Sequence, residues 1–197
     1  MSQTAHVGPA NPGPLGLAGA AITTWLFSML NIGWYGHESV GLVLATCIAC
    51  GGLAQVIAGI MEFSRGNTFG TTTFVMYGTF WWSLSVFLLF LHDKVPAGFV
   101  GWYLFLWGVL SLCLLVCSIR HARAIQLFFV FISLTFLLAA AGDWLESTPL
   151  KQAGGYAGLA VSLISFYLLT ATILNESFGR DVLPIGAGTA PPGSGIS

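Results

Sequence analysis

The chain predicts an all-α membrane protein built from six transmembrane helices. Three observations carry that prediction. Apolar residues make up 56% and charged residues 7% of the 197 residues. Six apolar stretches, each close to the ~20 residues that cross a bilayer, fill nearly the whole chain, and only short loops separate them. Inside hydrocarbon every backbone N–H and C=O must be satisfied within its own segment, so the stretches are helices, and irregular backbone has to line a protein-walled cavity. One compact membrane domain follows.

The spans are expected at Leu15 to Tyr35, Val40 to Phe63, Gly70 to Leu91, Phe99 to Ile119, Ala124 to Trp144 and Gly155 to Leu174. The first has no basic region before it and no cleavage-type site after it, and reads as a retained span. Residues 1–14 then form an N-terminal segment, 15–178 the membrane domain, and 179–197 a tail whose Gly, Pro and Ser content predicts disorder. Arg65, Arg120, Arg123 and Arg180 share the side of both termini, while Lys94 and Lys151 face the other, which predicts cytoplasmic termini. Trp34, Tyr35, Trp102, Tyr103, Trp144 and Tyr156 fall at span ends, where rings with one wet and one apolar edge anchor a helix.

Composition and placement exclude several functions. A net charge of −1 offers no basic surface for nucleic acid. Cys47, Cys50, Cys113 and Cys117 lie in apolar spans that carry no His or carboxylate at mid-depth, so they read as small packed side chains and no metal is expected. No span carries Lys, Arg, Asp, Glu or His at mid-depth, which argues against an ion pump, a voltage sensor or a haem bundle. An intramembrane enzyme lacks its nucleophile, base or paired acids. No cofactor is expected.

The informative residues are the polar ones left inside the spans. Gly52, Gln55, Gly59 and Glu62 follow at helical steps on one face of the second span, and Ala20, Thr24, Ser28 and Asn31 on one face of the first. The fifth offers Gln126, Val130, Ser133, Ala140 and Asp143, and the sixth Gly158, Ser162, Ser165 and Thr172. Small and hydroxyl residues are also the ordinary glue of membrane helices, as in Gly154-x-x-x-Gly158. Gln55 and Asn31 differ, because an amide has more donors and acceptors than one backbone neighbour satisfies and so calls for a partner or a wet cavity. Glu62 and Asp143 sit near span ends, where snorkelling, an ion pair of Glu62 with Arg65, and a proton-linked role for Glu62 all remain open.

The entry to the first span, Asn11-Pro12-Gly13-Pro14-Leu15-Gly16-Leu17, combines a capping Asn11 with Pro12 preset for a helix start, whose free N–H groups would attract an anion. The same segment resembles the N-P-x-P-L-G-L signature of the acetate uptake transporter family, the SatP-like and YaaH-like proteins. Gly51-Gly52-Leu53-Ala54-Gln55, Gly66-Asn67-Thr68-Phe69-Gly70, Tyr77-Gly78-Thr79-Phe80-Trp81 and Leu174-Asn175-Glu176-Ser177-Phe178-Gly179-Arg180 through Gly186 are similar to that family in the same order.

The resemblance implies six helices with one pore per protomer, a homohexamer, and passage of acetate, succinate or other short carboxylates across the cell membrane by anion channel or proton symport. It maps an apolar constriction onto Ala20, Tyr77 and Ile132, with Ser165 at a neighbouring position tied to substrate choice. Relatives carry a bulky aromatic where this chain has Ala20, which implies a looser gate. Gln55, Asn31 and Thr24 would line the pathway, and Asn11, Pro12 and Pro14 its entry. Two rivals remain: a neutral-solute channel for urea, amides or ammonia, and a membrane sensor or scaffold that transports nothing.

Overall fold

The computed structural model describes residues 9–186. Six helices there are long and apolar enough to span a membrane: α1 (Gly13–Ile32), α2 (Val40–Ser64), α3 (Thr68–Lys94), α4 (Gly98–Arg120), α5 (Arg123–Trp144) and α6 (Thr148–Phe178). Their neighbours run α4–α5–α6–α1–α2–α3, so the helices wrap around a centre. Between α3 and the α4–α5 pair the ring closes through side chains. Phe80 is its hub, with ring centroids 5.1 Å from Trp107 and 4.9 Å from Phe136.

Local chemistry sets the helix ends, and two ends depart from the hydropathy pattern. α1 stops at Ile32 because Gly33 takes φ 85°, a left-handed conformation that costs glycine little. Trp34 and Tyr35, expected inside the first span, therefore lie beyond it. α6 begins at Thr148, with Pro149 in its first turn, and runs to Phe178, where the left-handed Gly179 caps it, so it has 31 residues. At 1.5 Å per residue it is about 46 Å long, well beyond the ~30 Å of hydrocarbon. The polar ends around Lys151, Gln152, Asn175 and Glu176 concealed that length, because hydropathy reports only the part lipid requires.

α2 is not uniform. From Cys47 to Ala54 it widens into π-type turns, a feature often found at functional sites, and returns to α-helix at Gln55. Neighbours bond its carbonyls there: Trp82 Nε1 donates to Ile48 at 3.1 Å and Thr23 Oγ1 to Thr46 at 3.4 Å. Glycines let the flanking helices come this close. A Cβ on Gly78 would lie 2.9 Å from the Gly52 carbonyl, and one on Gly19 would run into the carbonyl of Cys50.

Three expectations need correction. Glu62 does not snorkel: it is fully buried, accepts a 2.8 Å bond from Asn67 Nδ2, and leaves Oε1 without a partner. Arg65 makes no ion pair with it, since Arg65 Nη1 donates to the Ala10 carbonyl at 2.8 Å. Gly154 and Gly158, by contrast, act as the helix glue expected, and they do so within the chain, against α5 and against Ser28 of α1. Cys113 and Cys117 are exposed on α4.

The start of the tail is folded, although its composition predicts disorder from Gly179 on. Asn175 Oδ1 accepts from the Val182 and Leu183 amides at 2.7 and 3.0 Å, and the Ala124 amide donates to the Ile185 carbonyl. Asn175 and Tyr167 of α6, with the backbone of α5, thus supply the bonds that a sequence without apolar period gives no reason to expect. The rest of the expected tail, and residues 1–8, lie outside the described residues.

Candidate functional site

A cavity of about 240 Å³ occupies the centre of the ring and opens toward the face opposite the termini. A second, of about 20 Å³, lies on the terminal side. Four residues line both: Ala20 of α1, Gln55 of α2, Tyr77 of α3 and Phe128 of α5. They form a partition near mid-depth. The smaller space has room for about one water, at the ~10–15 Å³ each requires.

The cavity face of α1 carries Ala20, Thr24, Ser28 and Asn31, all of which line the larger cavity as the helical spacing predicts. Gln55 emerges where α2 leaves its π-type turns; it is 1% exposed and its Oε1 has no partner. Leaving a buried amide oxygen unpaired costs about 1–3 kcal/mol, so this atom is set out for something that enters. Rotation about the last side-chain bond exchanges it with the amide N–H₂, giving either an acceptor or a donor at the partition.

Tyr77 contributes its ring, not its hydroxyl. Ser111 Oγ already donates to the Trp107 carbonyl at 2.7 Å, so the 2.9 Å contact between the two hydroxyls is donated by Tyr77. Stacking on Phe136 and an edge contact with Phe128 hold the ring across the path.

The α5 face differs from the expected one. Val130 points outward, and the cavity is lined instead by Phe128, Ile132, Thr135, Ala139 and Asp143, which also fall at helical steps. Sequence reasoning found Ile132 and Asp143 and missed Phe128, although it sits one turn from Ile132 on the same face. Ser165 does not line either cavity; it is fully buried and donates to the Val161 carbonyl at 2.8 Å. Ser162 likewise donates to the Ala21 carbonyl of α1. Both serines thus bond to backbone carbonyls away from the two cavities.

The entry motif forms a clamp. Asn11 Oδ1 accepts from the Gly13 amide at 3.0 Å, while Asn11 Nδ2 donates to Glu176 at 3.0 Å, tying the start of α1 to the end of α6. Pro12 accepts from the Leu15 and Gly16 amides, and Pro14 lies in the first turn. A carboxylate thus already lies at this helix start, where an anion was expected. Nearby, the buried His121 ring stacks on Phe69, which lines the small cavity, at 4.3 Å between centroids; neither ring nitrogen has a partner. Burial pushes its pKa below the ordinary 6.5, with the Cys117 backbone pulling the other way. On the opposite face Lys151 Nζ meets Asp143 Oδ1 at 2.7 Å, both on the wall of the large cavity. Hydropathy hid Lys151 because it lay outside the expected sixth span.

A ring of spanning helices around a divided cavity, with an unpaired amide at the partition, defines a multi-pass membrane protein with a pathway for small solutes. The chain belongs to the GPR1/FUN34/yaaH family, whose model matches residues 1–183. It is 43% identical over 183 residues to the succinate-acetate/proton symporter SatP of Escherichia coli (strain K12), a match covering 90% of this chain and 95% of that one. It is 32% identical over 167 residues to ammonia transport outward protein 2 of Saccharomyces cerevisiae, covering 80% of this chain and 59% of the yeast protein. Its fold matches the structure of the bacterial acetate channel SatP with a TM-score of 0.87, at 40% identity, over 91% of this chain and 100% of that one.

Proposed function

We propose that this chain carries acetate, and succinate more slowly, across the cell membrane through the two cavities, past a neck at Ala20, Gln55, Tyr77 and Phe128. The protein works as a homohexamer with one pathway per protomer and with both termini in the cytoplasm. The carrying observation is that the same four residues line both cavities, so a solute passing between them has to pass those side chains. The resemblance to SatP supports the substrate class.

The neck decides the charge state that crosses. Moving an unpaired carboxylate into apolar surroundings costs up to tens of kcal/mol, and one amide bond to a charged group returns only about 1.5–3. Protonating an ordinary carboxylate of pKa ~4.3 at pH 7 costs only about 4 kcal/mol. With space for about one water beyond the neck, the cheaper route is the neutral acid, handed past Gln55 with its proton. Thr24 and Asn31 take over part of the solute's hydration on the wide side.

Labelled-acetate uptake and electrical recording on the reconstituted protein across a pH series test this. Uptake that rises as the donor side is acidified, with little current, is the expected result. Current carried by acetate at neutral pH would replace the acid with the anion. The yeast relative's name supports a second reading, passage of ammonia, which the same apolar neck would admit as a neutral solute. Ammonia flux without acetate flux would establish that reading in place of the first.

A further inference from the structure

We infer that Lys151, at the mouth of the large cavity, is a recruitment site for carboxylates, and that Asp143 is its resident competitor. Among the described residues Lys151 is the one basic residue on the cavity wall, and its Nζ lies 2.7 Å from Asp143 Oδ1. Asp143 presents the same chemical group as the proposed substrate, so the pair displays a carboxylate bound where an incoming one would first meet a cation. This rests on the reading that carboxylates enter the cavity.

The backbone holds the pair in place. Asp143 lies near the end of α5 and Lys151 at the start of α6, joined by a tight turn in which the Ser147 amide donates to the Gly142 carbonyl at 2.9 Å and the Lys151 amide to Ser147 at 3.2 Å. A Cβ on Gly142 would lie 2.6 Å from Lys151 Cγ, so the glycine is what lets the lysine stem lie against α5. Asp143 is 13% and Lys151 46% exposed. The ammonium thus remains reachable from solvent, while the apolar wall behind it concentrates its field toward the cavity. A partly exposed ion pair is weak and screened by salt, so a solute carboxylate at transport concentrations can replace one partner. Asp143 then turns to water, and the captured acid stands at the open end of the path that leads to Gln55. A dicarboxylate, with two charged ends, gains more from the lysine than acetate does.

Opposite signs are the signature. Asp143→Asn removes the competitor and lowers the KM for acetate about threefold, whereas Lys151→Gln raises it about threefold, with maximal rates unchanged and larger shifts for succinate. Lys151→Arg restores the lower KM. If the pair only ties α5 to α6, both substitutions move KM or stability in the same direction, and the inference is overturned. A second measurement needs no variant. Lys94 and Lys151 are the two lysines of the chain, and acetate should protect Lys151, but not Lys94, from an amine-acylating reagent, relative to chloride at equal ionic strength. No protection in a protein that moves acetate overturns the recruitment site alone. Failure of the unaltered protein to move acetate overturns the transport reading itself.

Discussion

At the scale of single residues, the partition depends on one polar group among apolar ones. Gln55→Leu keeps the volume but removes the donor and acceptor, and acetate flux should fall about tenfold at equal protein level, from loss of one bond of about 1–1.5 kcal/mol. Flux assays beside a thermal-stability measurement separate that loss from misfolding. Ala20 faces the same neck with the smallest side chain of the four. Ala20→Phe should narrow it and reduce succinate passage more than acetate, while Tyr77→Ala should weaken the discrimination; competition uptake with both labelled acids reads the ratio. Tyr77→Ala also frees Ser111, whose hydroxyl keeps its bond to Trp107, so the effect is chiefly one of width.

At the scale of elements, the terminal side is held by contacts between segments distant in sequence. Asn11 ties α1 to α6, residues 182–185 close over α5 and α6, and the α4–α5 turn places His121 on Phe69. The His121 contact has a pH consequence. Burial lowers its pKa in the folded protein, so below about pH 6.5 the unfolded chain takes up a proton that the folded one resists. Stability should therefore fall as pH drops through that range. His121→Phe, which keeps the stacked ring, should remove this part of the slope; thermal melts in detergent between pH 5 and 8 check it. An unaltered slope would assign the acid sensitivity to other groups.

At the scale of the whole molecule, α4 shows its broad apolar surface outward, with Phe99, Trp102, Leu106 and Val116 exposed. Such a surface in this fold faces lipid or another copy. The small residues of α6 are used inside the protomer, so the proposed hexamer must be built from outer faces such as this one. Native mass spectrometry in mild detergent should show six copies, and a monomer at every concentration would count against the assembly.

The number of spans, their approximate positions and the cavity face of α1 were all legible in the sequence, because lipid forces backbone bonds into helices and helical spacing gathers Ala20, Thr24 and Asn31 on one side. Gln55 was legible for a related reason, since an amide in hydrocarbon needs something to bond. What hydropathy cannot see is which side of a helix meets which neighbour. The face of α5, the placement of Ser165 off both cavities, the burial of Glu62 and the pairing of Asp143 with Lys151 depend on how six cylinders rotate against one another. That rotation is set by contacts such as Gly19 against Cys50 and Phe80 against Phe136, which join residues far apart in the chain. Periodicity within a segment fixes neither partner nor angle, so only the tertiary structure could decide them.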